Sequence, residues 1–258
     1  MANVRLGFDH RFGHLHFSTD GPGQWMVPVS DLIRELKLRP EEVASHAEIA
    51  TLPPQTKDLE TLCKEAIASL KLKGKTVLDI GGYDGRMAAY ALECGAKKAI
   101  CLDNQQWEHY GWTEKDKLAG VEYVTGDFMD FCPAGPDGIT CPHEDDDTVA
   151  AADFVRLPRP DVVIFYNVLY HVRNPWVALE HLHGLVKPKG TMLLCSLVRF
   201  DDLPRWYLYE PNECNPEDDT VYWGPSKAGL LRLLRLTGWK VEEVGQAVER
   251  LVLKCRKS

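Results

Sequence analysis

The stretch Thr76-Val77-Leu78-Asp79-Ile80-Gly81-Gly82-Tyr83-Asp84-Gly85 decides the fold. It opens with a short apolar run rich in β-branched residues, the composition of a strand buried on both faces, with Asp79 near its end. Glycines follow at 81, 82 and 85. Residues 86–94 (RMAAYALEC) have helix composition, and Gly95 supplies a stop signal. Strand, glycine turn and helix together let a backbone approach a ligand at a helix N-terminus. A dinucleotide fingerprint needs glycines at the first, third and sixth positions of the turn. Counted from Gly81, those positions hold Gly81, Tyr83 and Arg86, which disfavours a nicotinamide dinucleotide. By itself the motif is also compatible with an ordinary βα turn.

Working outward, residues 98–102 form a second expected strand that ends in Asp103, with Asn104 next. A carboxylate at the end of the second parallel strand, about 20 residues beyond the glycine turn, can accept hydrogen bonds from both ribose hydroxyls of a nucleoside ligand. Residues 121–124 read as a third strand before Thr125-Gly126-Asp127-Phe128, where Gly-Asp is also plain turn chemistry. Residues 161–166 are a fourth, running into Asn167-Val168-Leu169-Tyr170-His171. Asn174-Pro175 caps and starts a helix, with Trp176, Leu179, Leu182, Leu185 and Val186 on its apolar face. Residues 191–198 are another buried strand. Residues 226–237 predict a Leu-rich helix stopped at Gly238, and 239–244 with 248–254 a final hairpin. Upstream, residues 56–72 predict an amphipathic helix with Leu59, Leu62, Cys63, Ala66, Ile67 and Leu70 on one face. Strands alternate with helices, so the fold class is α/β with a largely parallel, doubly wound sheet.

Other segments are less regular. Residues 1–55 are expected to form an N-terminal extension or lid, with short strands at 4–8 and 14–19 and helices starting near Ser30 and Pro40. His10, His14 and His16 lie close together, and imidazole is a common metal ligand, but no carboxylate–cysteine framework accompanies them. Residues 132–160, with their prolines, glycines and acidic run, are expected to be a polar loop insertion. Cys132, Cys141 and His143 lack the spacing of a closed zinc site. Residues 199–225 are dense in Trp, Tyr and acidic groups. No metal is expected.

The 258 residues are 45% hydrophobic and 26% charged, enough chain to bury a core without disulfides or metal. Net charge is −8 and no Lys/Arg-rich run occurs, so a broad footprint for nucleic acid is not supported, although one local basic face can hide in an acidic total. Eight scattered cysteines, some inside apolar patterns (Cys101, Cys195), together with the lack of a signal peptide or long apolar span, fit a reduced cytoplasmic setting with no membrane partner.

The acidic strand end with Gly81 and Gly85 resembles motif I of Rossmann-like methyltransferases that use S-adenosylmethionine. Leu78–Gly85, Gly95-Ala96-Lys97, Asp103, the run from Asn167 to Pro175 and Tyr222-Trp223-Gly224-Pro225-Ser226 look like the branch that includes tRNA wobble-uridine carboxymethyltransferases and small-molecule methyltransferases. Tyr83, where the motif usually has its central glycine, is usual in that branch. The resemblance covers residues 56–245 and implies a mostly parallel seven-stranded sheet in a domain of residues 56–258. It implies S-adenosylmethionine as cofactor, held by Asp79, Gly81, Gly82, Tyr83, Gly85, Asp103, Asn104, Asn167 and Tyr170, with Asp127 on the adenine amino group and Phe128 against its ring. The Trp- and Lys-containing segment that precedes motif I in the tRNA enzymes has no match in residues 56–75. That departure and the acidic charge favour a small-molecule or sugar-like acceptor over tRNA. A non-catalytic cofactor-binding protein is the remaining alternative, and a homo-oligomer is compatible with each reading.

Methyl transfer to a hydroxyl or ammonium group needs a base, and His171, past the carboxyl end of the fourth strand, is the candidate. A histidine tied to a backbone carbonyl to shape the turn is the competing reading. Arg199, Trp206, Tyr209, Tyr222 and Trp223 are the candidate acceptor-site residues, with Arg205 a further cation for an anionic substrate. Asn167 with Asp201 or Asp202 offers the oxygen ligands of a divalent cation, but solvated loop acids are common.

Overall fold

Residue alternation along the strands divides the core into two layers. In the computed structural model Val77, Ala99 and Cys101 bury on one face of a sheet, and Leu78, Ile80, Ile100 and Leu102 on the other. The structure describes residues 4–9, 14–19, 58–104, 113, 116–140, 156–199, 203–214, 218–247 and 249–258. The chain divides into two units, Met1–Gln55 and Thr56–Ser258. In the first, β1 (Val4–Asp9) and β2 (His14–Thr19) pair antiparallel. The helices expected near Ser30 and Pro40, and His10, lie outside the described residues.

The second unit opens with α1 (Leu59–Ala68). It is shorter at both ends than the apolar pattern over 56–72 predicts; at its N-terminus the Asp58 carboxylate caps it by accepting the Thr61 N–H at 2.8 Å. There follow β3 (Thr76–Ile80), α2 (Arg86–Glu93), β4 (Lys98–Asp103) and β5 (Val121–Thr125). Within the expected loop, β6 (Cys132–Pro133), β7 (Gly138–Thr140) and β8 (Arg156–Pro158) form a small antiparallel sheet. Buried Ile139 and Leu157 anchor it to the main core, a signal too sparse to register as strand periodicity. Cys141 and His143 lie outside the described residues.

The chain continues through β9 (Val162–Tyr166), α3 (Pro175–Leu185), β10 (Thr191–Leu197), β11 (Trp206–Leu208), β12 (Trp223–Pro225), α4 (Lys227–Leu236), β13 (Trp239–Ala247) and β14 (Arg250–Lys257). Seven strands share one sheet in the order β13-β14-β10-β9-β3-β4-β5. The pairs β10–β9, β9–β3, β3–β4 and β4–β5 are parallel, and β14 runs antiparallel to both its neighbours. Helices α1 and α2 contribute Leu62, Ile67, Ala88 and Ala91 to one layer. Helices α3 and α4 contribute Leu179, Leu182, Leu230 and Leu234 to the other. The sheet is thus doubly wound, and its parallel strands end at a common rim where ligands bind in open α/β folds.

Candidate active site

The turns after β3, β4, β5 and β9 surround a cleft of about 690 Å3. The first of these turns is built by close packing. Gly81 has φ +65°, and a Cβ there would lie 2.4 Å from Val168 Cγ2, so the β3 and β9 turns touch through a missing side chain. A Cβ at Gly82 would lie 2.5 Å from Cys101 Sγ, which presses this turn onto β4. Tyr83 follows with φ 48° and donates its N–H to Asp103 Oδ2 at 3.1 Å. The glycine turn and the acidic end of β4 are therefore fixed to each other, with Gly81, Tyr83, Asp103 and Asn104 all lining the cleft.

The N-terminus of α2 is already served by the chain's own carboxylates. Asp84 accepts the Arg86 N–H at 3.0 Å, and Asp79 accepts the Ala88 N–H at 3.1 Å. Two of the donors that a pyrophosphate would need are thereby occupied, and by acidic groups. Asp79 itself is buried behind the turn and does not line the cleft. Burial pushes its carboxyl up to about 8; the Ala88 N–H opposes this, while Asp84 and Asp103 add to it.

Past β5, Asp127 Oδ1 accepts the Met129 N–H at 2.9 Å and caps a 3-10 turn, Phe128–Asp130. The Phe128 ring packs edge-on against Phe165 with centroids 5.4 Å apart. Both Asp127 and Phe128 line the cleft. Past β9, Asn167 adopts φ 59° and accepts the Cys195 thiol at 3.4 Å. In the 3-10 turn Leu169–His171 that follows, the Tyr170 ring lies against the His171 imidazole, with centroids 4.3 Å apart. His171 lines the cleft, its Nδ1 lying 2.9 Å from Thr220 Oγ1 and 3.1 Å from Thr220 O. Burial lowers the imidazole pKa, which Thr220 and Asp218 partly offset.

Several sequence-derived candidates sit elsewhere. Tyr170 is buried away from the cleft, with the Arg250 guanidinium 5.1 Å from its ring centre. Gly82 and Gly85 form the outer packing of the turn, and a Cβ at Gly85 would strike the Tyr123 hydroxyl at 2.6 Å. Arg199 does not face a ligand: its guanidinium bonds the Tyr209 hydroxyl and, at 2.8 Å, Glu249. Tyr209 is itself buried by this contact. A partly buried guanidinium needs such partners, so this pair is consumed internally. Trp206 and Trp223 instead line a neighbouring groove of about 570 Å3, their rings edge-to-face at 6.2 Å. Of the five proposed acceptor residues, only Tyr222 lines the main cleft.

Arg173 and Asn174 line both spaces, and Thr220 lines the main cleft; none of the three carries a sequence signal that marks it as a site residue. Asp201 and Asp202 lie outside the described residues. Among the described residues no three His, Cys, Asp or Glu side chains cluster as a metal site, and no helix is long and apolar enough to cross a membrane.

Residues 56–244 match the family described as methyltransferase domain, and the chain belongs to that family, with the Rossmann-like fold of S-adenosylmethionine-dependent methyltransferases. A tRNA U34 carboxymethyltransferase from Dichelobacter nodosus is 25% identical over 191 residues, covering 74% of this chain and 54% of that protein. The chain spans about half the length of the curated relatives it matches. Among solved structures, 1,6-didemethyltoxoflavin-N1-methyltransferase from Burkholderia thailandensis, with bound 1,6-didemethyltoxoflavin and S-adenosylhomocysteine, has a TM-score of 0.50 at 16% identity, covering 93% of this chain and 94% of that one. An S-adenosylmethionine dependent methyltransferase from Mesorhizobium loti has a TM-score of 0.51 at 13% identity, covering 77% and 97%. At these identities the likeness is one of fold.

Proposed function

We propose that the protein transfers a methyl group from S-adenosylmethionine to a hydroxyl or amino group of a small-molecule or sugar-like acceptor. The observation that carries the reading is the close-packed glycine turn that fixes Asp103, through the Tyr83 N–H, at the rim of the cleft. Bound S-adenosylmethionine supplies a methyl carbon on a sulfonium sulfur, whose in-line displacement leaves S-adenosylhomocysteine. Asp103 and Asn104 are assigned to the ribose, Asp127 and Phe128 to the adenine, and the backbone of Gly81 and Tyr83 with Asn167 to the amino-acid end. His171 takes the proton that the acceptor releases as its oxygen or nitrogen bonds the methyl carbon. Its lowered pKa keeps the imidazole neutral, and therefore able to accept, at neutral pH.

The groove beside the cleft supports a small acceptor. Trp206 and Trp223 give it aromatic walls, and Arg173 and Arg232 give it positive charge. Titration calorimetry with S-adenosylmethionine tests the cofactor assignment. Removing two hydrogen bonds to a carboxylate, each worth about 1.5–3 kcal/mol, predicts that Asp103→Ala weakens binding by about 100-fold or more. No binding by the wild type would refute the reading.

The relatives named tRNA U34 carboxymethyltransferases favour a second reading, in which the acceptor is a tRNA wobble uridine. Retardation of bulk tRNA at low salt would select it. Formation of S-adenosylhomocysteine from S-adenosylmethionine in a cell extract separates either enzyme from a non-catalytic binding protein.

A further inference from the structure

We propose that Thr220 and Asp218 are positioning residues that hold the His171 imidazole with its proton on Nδ1, so that Nε2 is the bare, proton-accepting nitrogen at the cleft. The proposal rests on the methyl-transfer reading above, in which His171 is the base.

The direction of each hydrogen bond is forced. Thr220 O lies 3.1 Å from His171 Nδ1 and, being a carbonyl oxygen, can only accept. Nδ1 must therefore carry the proton. The Thr220 hydroxyl, 2.9 Å from the same nitrogen, donates its own proton to Asp218 Oδ1 at 2.6 Å and so turns a lone pair toward Nδ1. The Thr220 N–H also donates to Asp218 Oδ1, at 2.9 Å, which fixes the residue that orients the ring. A neutral imidazole has one N–H, so Nε2 is left unprotonated. Among the described residues Nε2 has no hydrogen-bond partner, while His171 lines the cleft.

The charged and titratable groups around the ring come from four directions. Asp218 stabilises the imidazolium and Arg250 opposes it. The Tyr170 ring lies 4.3 Å from the imidazole, and Tyr222 and Arg173 line the same cleft. When the acceptor's proton arrives at Nε2, the Nδ1–H remains bonded to Thr220. No proton moves on to Asp218: although burial opposes it, the Thr220 hydrogen bonds and His171 hold its carboxyl below the usual range, so it stays ionised while the imidazolium keeps the proton. Asp218 acts only as a fixed negative charge one hydroxyl away. The carbonyl contact alone would hold the ring; the hydroxyl and Asp218 add a fixed negative charge that stabilises the imidazolium.

The test is two-bond 1H–15N correlation on full-length protein labelled with 15N-histidine, with His171 assigned by its loss in His171→Gln. Wild type is expected to show the Nδ1–H tautomer. Thr220→Val leaves the carbonyl in place, so it should keep the Nδ1–H tautomer while lowering the His171 pKa through loss of the hydroxyl, and Thr220→Ser should restore the pKa. Asp218→Asn keeps an acceptor for the threonine hydroxyl but not the charge, so it should keep the tautomer while lowering the pKa. In the extract assay, Thr220→Val should form S-adenosylhomocysteine about 10-fold more slowly with unchanged S-adenosylmethionine affinity, a fraction of what a positioned base contributes. An Nε2–H tautomer in wild type, or a Thr220→Val protein with unchanged His171 pKa, would overturn the proposal. Loss of the methyl-transfer reading shows differently, as wild-type protein that binds no S-adenosylmethionine or forms no S-adenosylhomocysteine.

Discussion

The contact between Gly81 and Val168 gives a test of how the cleft is built. Gly81→Ala meets two penalties. A φ of +65° places the new Cβ in the left-handed region, at about 1–2 kcal/mol. The same Cβ would lie 2.4 Å from Val168 Cγ2, about 1 Å inside ordinary contact, an overpacking of about 1–3 kcal/mol. The single substitution should therefore destabilise the apoprotein by about 2–5 kcal/mol. Val168→Ala alone removes two partly buried methyl groups, about 1.5 kcal/mol. Together the two should not add, because Val168→Ala removes the atom that the new Cβ would strike while leaving the backbone penalty. The coupling should be about 1–3 kcal/mol in the stabilising direction. Urea unfolding of wild type, both single variants and the double variant without cofactor measures it. Additivity within about 0.5 kcal/mol would refute the close packing of the β3 and β9 turns. Since both residues line the cleft, S-adenosylmethionine affinity should fall in Gly81→Ala as well.

Asp79 has a pKa raised from 3.8 to about 8, so the fold favours its neutral form. Its contribution is intact below the unfolded pKa and is lost as pH rises through the folded one, with a slope of at most about 1.4 kcal/mol per pH unit. Asp79→Asn keeps an oxygen for the Ala88 N–H but does not titrate, so its stability should rise relative to wild type between about pH 4 and pH 8. Parallel stability curves across that window would contradict the burial argument. Trp206 walls the side groove and not the main cleft, so Trp206→Ala should lower S-adenosylhomocysteine formation about 10-fold while calorimetry shows unchanged S-adenosylmethionine affinity. Equal losses in both would place Trp206 with the cofactor.

Local chemistry made much of this protein legible from its sequence. Period-2 burial, the Ser226 and Asn174 caps, and Gly95 and Gly238 as stops all act within a few residues, and the corresponding strands and helices are where those signals fall. Asp103 was legible too, because the end of the second parallel strand is a fixed place relative to the glycine turn. The boundaries are set equally locally: Asp58 starts α1 at Leu59 and Ser69 ends it, inside the expected span of 56–72.

The residue set of the site was not local. Thr220 lies 49 positions from His171 and sits in a segment with no periodicity, so nothing in the chain pairs them until the tail folds back. Arg199 has the look of a ligand cation in the sequence, but burial against Tyr209 and Glu249 gives it internal partners. Trp206 and Trp223 share composition with Tyr222 yet line another groove, because β11 and β12 turn them toward α4. Tyr170 and His171 are adjacent and their rings touch, yet the first is buried and only the second lines the cleft. The sequence by itself determined the alternating strands and helices and the glycine turn with Asp103 at the rim of the cleft, since periodicity and backbone conformation are short-range properties. Only the tertiary structure decided which further side chains line the cleft and which the neighbouring groove, since those contacts depend on loops whose positions the packed sheet and helices impose.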